Sequence, residues 1–480
     1  MLRMRGVVLS VAALLGLGCS EDAGTPTNDS GGRASSAGGE GGANAAAGAS
    51  ARAGSTAQTA GTSGRGGAAG AGTSGSAATT GGGGGRGGNG GTEDSGGEGG
   101  NAGSGGSPGT ALRVRPGTYA GGAFASGLSG AAEAPIWIGG VAGGPRPVIS
   151  GGSTALQLSA ASYVVIHDLE ISGQSANGVN IDDGEVASGE AHHLIFRNLR
   201  FGAVGDGGNQ DCLKLSGIDD YFVLDSEFVE CGGGSAVDHV GCHRGVIARN
   251  RFVDLAGNGV QSKGGSDDIL ITRNRFEAAG ERAVNMGGST GFEFFRPLLS
   301  TSQPNFEARD IRVVANLFVG GVSPIAFVGC VDCVAANNTV IDPERWIVRI
   351  LQETVSEGEY TFEPAQAGRF VNNAVYFSRA LLSTYVNVGA ETDPESFTFS
   401  NNLWYAHDMP AESEPAPLPV VESAGIYGQA PDFADPAAGD FGITAGSPAA
   451  GAGIRLADVR ADVDGECYAQ PPSIGAHEAD

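Results

Sequence analysis

A short apolar element recurs along this chain, and the recurrence limits the possible folds more than any other feature. Each copy alternates apolar residues and then reaches an Asn or Asp just before an aliphatic or aromatic residue. Copies end at Asp168, Asn198, Asp225, Asn250, Asn274 and Asn316, with weaker ones at Asn338, Asn373 and Asn402. Ile269-Leu270-Ile271-Thr272-Arg273-Asn274-Arg275-Phe276 carries the full pattern. A second short strand follows most copies, as in Leu213-Lys214-Leu215, Ala236-Val237-Asp238-His239, Gly259-Val260-Gln261-Ser262 and Ala283-Val284-Asn285-Met286. The clearest neighbours stand roughly twenty residues apart and wider gaps read as loop insertions; no segment has a helical period. Two or three short strands per repeat, each repeat burying its inward side chains against the next, describe a parallel β-helix. Asparagines stacked at a tight corner predict a ladder of hydrogen bonds along the axis, satisfying backbone groups where the strand bends.

The pattern resembles the right-handed parallel β-helix proteins of the pectate-lyase-like superfamily over residues 111 to about 410. Arg115-Pro116-Gly117-Thr118-Tyr119 is similar to that superfamily's opening, where a strand leads into the first coil. The resemblance implies an all-β, single-stranded right-handed coil of about nine or more turns. Pro431-Asp432-Phe433, Asp440-Phe441, Ser447-Pro448-Ala449, Asp462-Val463-Asp464-Gly465 and Ile474-Gly475-Ala476-His477-Glu478 resemble the closing segment of many bacterial surface β-helix proteins. In those an arginine commonly follows the Asp-Gly pair, where Glu466 stands here. On this reading residues 111–430 form the β-helix and 431–480 a cap. Asp462 and Asp464 alone fall short of a calcium loop.

The chain ahead of the coil is of another kind. Arg3, Arg5, the apolar run from Val7 to Leu17 and the step Gly18-Cys19 read as a secretion signal over residues 1–19, too short to span a membrane. Its end resembles a bacterial lipoprotein box, with Gly16 where leucine is usual. That implies lipidation of Cys19, and Ser20 implies the outer membrane or cell surface as the address, with ordinary secretion as the alternative. Residues 20–110, rich in Gly, Ala, Ser and Thr, offer no core and read as a tether with a span of roughly 50 Å. The net charge of −25 lies mostly in the remainder. With no basic stripe to neutralise phosphates, nucleic acid is excluded as a partner. The expected membrane contact is the lipid anchor only, and the expected state is a monomer. Six cysteines after Cys19 in an oxidising compartment predict one to three structural disulfides, their pairing open. Cys330-Val331-Asp332-Cys333 has redox or zinc spacing without a second pair to support either.

Inward residues of such a coil are packing, so chemistry falls on outward rows and loops. The chain has two lysines, Lys214 and Lys263, against twenty-six arginines, and alternation sends both outward on the second-strand row. Arginine holds its proton at ordinary pH, whereas lysine releases one where its surroundings allow. Lysine kept in an arginine-rich chain points to a place where a proton must move; the alternative is two surface lysines that survived a compositional bias. The two lysines are expected roughly 12 Å apart with Asp238 on the turn between them. The insertion after Asn285, with Phe292, Phe294, Phe295 and Arg296, predicts a groove wall: rings for sugar faces, a guanidinium for carboxylates.

A ribbon of alternating acids and bases suits an acidic polysaccharide. Uronic-acid polymers break by β-elimination, in which a base removes the proton beside a carboxylate that a cation neutralises. Some β-helix lyases pair a lysine base with an arginine one turn on. The resemblance falls on Lys263 and Arg282, with Lys214 and His239 as further catalytic candidates and Gln261, Asn285, Arg296 and Arg349 as substrate contacts. The acidic pair usual before that lysine is replaced by Gly259-Val260-Gln261. Ca2+ is the expected cation, with Asp182, Asp211 and Asp238 as oxygen ligands. A weaker resemblance to uronate epimerases falls on Asp238-His239, the histidine as base. A hydrolase would use clustered aspartates such as Asp182, Asp183 and Asp211. A glycan-binding or adhesion protein without turnover is the remaining class.

Overall fold

The computed structural model describes residues 107–185, 191–382, 384–457 and 459–480; the signal, Cys19 and all but the last few tether residues lie outside the described residues. Three parallel sheets of 12, 12 and 10 strands are built by pairing each strand with its counterparts one turn earlier and one turn later. The recurring element supplies the first sheet (for example Ser266–Thr272), the residues after its corner the second (Arg275–Ala279), and the second-strand segments the third (Arg282–Gly287). The chain visits the three in that order and returns. The molecule is a right-handed parallel β-helix; the repeat predicts the coil and the resemblance implies its hand.

Period-two alternation decides what fills it. On the third sheet Leu213, Val237, Val260 and Val284 are in register and buried. Inside the second sheet Phe201, Phe228, Phe252, Phe276 and Phe318 stack turn on turn, ring centroids 4.6 to 5.0 Å apart. That spacing is the strand spacing itself, so one aromatic per turn gives a continuous apolar column.

The corner between the first and second sheets turns on one left-handed residue: Asp168, Asn198, Asp225, Arg249, Arg273, Ala315, Asn337, Asn372 and Asn401 all have φ between 51° and 57°. The next residue is buried, and in the later turns it is Asn250, Asn274, Asn316, Asn338, Asn373 and Asn402. Asn274 Nδ2 donates to Asn316 Oδ1 (3.0 Å) and Ile247 O (2.9 Å), and the Asn274 N–H also donates to Asn316 Oδ1 (2.9 Å). The ladder starts at Ser226, whose N–H donates to Asn250 Oδ1 (2.9 Å), and ends on Glu422, which accepts Asn402 Nδ2 (2.7 Å) and Trp404 Nε1 (2.8 Å). Sequence reading counted Asp168, Asn198 and Asp225 as rungs. They stand one residue earlier, at the left-handed position that short polar side chains tolerate, and Leu169, Leu199 and Ser226 take the ladder position.

The outer face of the second sheet changes character along the axis. Early turns carry a charge ladder, Arg200 to Glu170 (3.3 Å) and Glu227 (3.1 Å), then Arg251 to Glu227 (3.0 Å). Later turns carry Leu317, Ile341, Ala374 and Leu403, and these pack against Phe441, Ile443 and Ile474. Residues 431–480 therefore lie along the side of the coil, over its apolar outer strip. Disulfides join Cys212 to Cys231 and Cys330 to Cys333, while Cys242 is a buried thiol.

Candidate functional site

Two outward columns of the third sheet face the insertion loop. One runs Gln157, Asn180, Lys214, Asp238, Gln261, Asn285, Ala326, Arg349. The other runs Ser159, Asp182, Ser216, Val240, Lys263. Lys214 and Lys263 thus lie in adjacent columns of one face and converge on Asp238. Lys214 Nζ donates to Asp238 Oδ2 (2.7 Å) and to Asp211 Oδ2 (2.9 Å), and Lys263 Nζ stands 3.6 Å from Asp238 Oδ1. Asp238 is 1% exposed, and its Oδ1 has no hydrogen-bond partner among the described residues. Asp211 is fixed by the Ser235 N–H (2.8 Å). Gly234 makes room for it, since a Cβ there would sit 2.6 Å from Asp211 Oδ1. The Cys212–Cys231 disulfide ties the two ends of this turn together.

Burial, and then the charge of Asp238, push Asp211 up to about 6. Burial acts on Asp238 as well, but the ammonium groups of Lys214 and Lys263 outweigh it and hold that carboxyl below its ordinary value. Burial opposes the charge of Lys214; Asp238 and Asp211 overcome it and raise its pKa, so this lysine is a fixed cation. Its ammonium fills the place between two carboxylates that a metal ion would need. Asp182 is engaged elsewhere, accepting Ser159 Oγ (2.6 Å) and the Gly184 N–H (3.0 Å). Among the described residues no group of three or more His, Cys, Asp or Glu is placed to hold a metal. The expected calcium set of Asp182, Asp211 and Asp238 is therefore not assembled; the residues present do not fit the ion, and a lysine charge stands where it was predicted.

The insertion loop covers more of the ribbon than expected. Gln261 Nε2 and Asn285 Nδ2 donate to Gly287 O (3.5 and 3.2 Å). A Cβ on Gly288 would fall 2.3 Å from Gln261 Nε2, so the loop backbone lies directly on that side chain. Gln261 and Asn285, expected to touch substrate, instead hold the loop and are buried. Phe292 packs on Tyr360 and Phe362 and Phe295 is buried, leaving Phe294 58% exposed. Arg296, expected to hold a carboxylate of the polymer, reaches back to Asp183 Oδ2 (2.8 Å) and fastens the loop to the coil. Between loop and ribbon lies a groove of about 500 Å³ lined by Lys214, Asp182, Phe124, Phe294 and Arg296.

Glu307 was missed by sequence reasoning. It is buried and accepts the Gly264 N–H (2.7 Å), Thr290 Oγ1 (2.9 Å) and Thr354 Oγ1, locking the turn after Lys263. It follows an insertion, so no periodicity marks it. Arg282 is not beside Lys263: it pairs in register with Asn258, at the other end of the strand Asn258–Lys263, and bonds Glu353 Oε1 (2.6 Å) and Asn285 Oδ1 (3.2 Å). Arg349 remains outward and half-buried, bonded to Asn387 Oδ1 (3.2 Å).

His239 is corrected most sharply. Alternation that turns Asp238 outward turns His239 inward, in register with Leu215 and Ser262. The ring is fully buried, 3.1 Å from Ser262 Oγ and 5.2 Å from the Tyr221 ring, and cannot reach a polymer. Burial holds its pKa down at about 4. A base whose folded pKa is depressed is protonated in the unfolded chain first, so stability is lost as pH falls from about 6.5 toward 4. The expected loss is on the order of 3 kcal/mol across that window. Urea midpoints of wild type and His239→Gln at pH 7 and pH 4.5 check this; equal slopes in the two proteins would show that the histidine does not titrate with folding.

No family model and no curated protein matches the chain. Among solved structures it is similar to pectate lyase Pel9A, with 15% identity over 78% of this chain and 88% of that one and a TM-score of 0.40. A rhamnogalacturonan lyase follows at 14%, 62%, 80% and 0.41, and an alginate lyase from Paenibacillus sp. at 15%, 60%, 93% and 0.36. No residue correspondence is drawn from likeness at this level. The class to which the molecule belongs, the right-handed parallel β-helix, rests on its own three sheets.

Proposed function

We propose that the outward ribbon of the third sheet binds an acidic polysaccharide and cleaves it by β-elimination. One observation carries the reading: the chain's two lysines meet on a single buried aspartate beside a groove walled by an exposed phenylalanine. The roles follow from the contacts. Lys214, clamped by two carboxylates, keeps its charge and faces the groove, so it suits neutralisation of a uronate carboxylate as the carbanion forms. Lys263 makes no hydrogen bond to Asp238 at 3.6 Å and is the less tightly held of the two lysines, so the role of base falls to it. Arg282 has no part in this version, and neither does a metal.

A hydrolytic reading has one specific observation in its favour. Asp211 and Asp238 touch the same ammonium, and their environments push their pKa values apart, the arrangement of an acid beside an ionised partner. Both carboxylates lie beneath Lys214 at 1% exposure, which argues against direct contact with a glycosidic oxygen. One screen separates the two. The secreted protein is incubated with polygalacturonate, alginate and glycosaminoglycans, and the products are read by ultraviolet absorbance and reducing ends. Elimination raises both; hydrolysis raises reducing ends alone; binding without either signal leaves a glycan-binding protein.

The reading includes a place of action. A lipid on Cys19 and the tether after it would hold the coil away from the outer membrane, within reach of an external polymer. Cys19→Ala is expected to move the protein from membrane fractions to the medium, because it removes the acyl chains. Retention of the variant with its signal still cleaved would place the anchor elsewhere.

A further inference from the structure

Farther along the same ribbon, beyond the insertion loop, two arginines stack on one tryptophan and a third acts on one of them by its charge. Arg349 occupies the outward column of the third sheet, in register with Ala326 and Asn387. Its guanidinium lies 4.2 Å from the centre of the Trp346 ring, and that of Arg345 lies 4.0 Å from it. Arg282 is close enough for its charge, with that of Arg345, to act on Arg349. Many arginines of this acidic coil sit in carboxylate pairs, as Arg244 does with Asp219 and Asp220 (both 2.9 Å). Here, of the three, Arg282 alone has a carboxylate partner, Glu353. Among the described residues neither Arg345 nor Arg349 has a carboxylate within ion-pair distance, and Arg349 bonds only the neutral Asn387 (3.2 Å).

Like charges brought together cost energy, more so when half-buried, and here Glu353 and Glu281 act on Arg349 without pairing with it. Burial, then the charge of Arg282 and, less strongly, that of Arg345 hold Arg349 below its ordinary pKa, against the opposing charges of Glu353 and Glu281. An anion placed among them removes that cost. Stacking on an indole keeps a guanidinium flat while leaving its N–H edge open, the geometry that takes a carboxylate or sulfate through two parallel bonds. Trp346 therefore orders the two forks, Arg345 exposed and Arg349 half-buried.

We infer that Arg345 and Arg349, held on Trp346 and flanked by Arg282, form a remote anion subsite of the ribbon that grips a carboxylate or sulfate ester on a sugar of the bound polymer. The subsite rests on the reading of this ribbon as a glycan track. Arg349 stands four turns beyond Asp238 in the same column, roughly 19 Å at the inter-strand spacing, so one chain several sugars long would span the lysines and the arginines together.

The test is affinity electrophoresis of the full-length protein through gels containing polygalacturonate, alginate, dextran sulfate or neutral dextran. Wild type, Arg345→Gln, the Arg345→Gln/Arg349→Gln pair and Arg251→Gln, which removes an exposed arginine from the second sheet, are compared, with thermal unfolding of each as a check on folding. The exposed Arg345→Gln alone keeps the test valid should the pair be destabilised. Wild type is expected to be retarded by at least one polyanion and not by dextran. The double variant should bind at least tenfold more weakly, Arg345→Gln in between, and Arg251→Gln about as wild type. Retardation by the polyuronates marks the carboxylate as the ligand, and retardation by dextran sulfate alone marks the sulfate. Folded variants of Arg345 that bind like wild type overturn the subsite while leaving elimination at the lysines standing. Loss of binding in those variants, from a wild type that forms no unsaturated product, supports the subsite and removes the elimination reading. A wild type held by none of the polyanions overturns the subsite.

Discussion

Lys263→Arg is expected to lose nearly all turnover, falling about as far as Lys263→Ala, by roughly 10²- to 10⁴-fold, the usual contribution of a positioned acid–base group. Arginine keeps the charge and reach of the side chain but does not give up its proton at ordinary pH, so it separates a base from an electrostatic contact. Polymer binding should change little in either variant. Lys214→Arg is expected to behave differently. It retains a cation between Asp211 and Asp238, and should keep a measurable fraction of activity with a raised KM. Lys214→Ala strips the counterion from two buried carboxylates and should cost about 3–5 kcal/mol of stability, so its loss of activity is read only beside its unfolding curve. Retention of most turnover by Lys263→Arg would exclude the lysine as base and return the proton-transfer role to the aspartates.

Replacing Asn316 by leucine should be among the most destabilising single changes in the coil. The side chain sits mid-ladder: its Oδ1 accepts the N–H and Nδ2 of Asn274 (2.9 and 3.0 Å), and its Nδ2 donates to Asn338 Oδ1 (3.1 Å) and Ile271 O (2.9 Å). Leucine fits the volume and leaves the buried Asn274 N–H without an acceptor. The expected cost is about 3–5 kcal/mol, one orphaned buried donor plus several lost bonds. Asn198→Ala is the matched control. Asn198 resembles a rung in sequence but occupies the left-handed position near the surface, so the change should cost only about 1 kcal/mol. Denaturant unfolding of the two variants decides the matter, and similar losses would mean that the ladder does not carry the corner's stability.

Much of the fold was legible because a parallel β-helix repeats one instruction. Alternation assigns each strand residue to inside or outside, and the repeat length assigns it to a turn. Those two coordinates placed Lys214 and Lys263 outward with Asp238 on the turn between them. They also implied that His239, next to Asp238, faces inward; that signal was present and was overridden by the resemblance to a histidine base. What the repeat does not encode is the path of an insertion. Residues between Gly287 and Glu307 leave the period, and only the folded loop reveals that Gln261 and Asn285 are covered, that Arg296 is spent on Asp183, and that Glu307 locks the turn after Lys263. Nor does it say which outward neighbours pair. The sequence alone determined a parallel coil with an ionisable outward ribbon, since burial of an apolar row in every turn sets the repeat; the right hand was implied by the resemblance. The tertiary structure decided that Lys214 neutralises Asp211 and Asp238 where a cation was expected, and that Arg282 faces Glu353, because ion pairing depends on distances of a few ångströms that turn spacing, side-chain reach and loop closure set together.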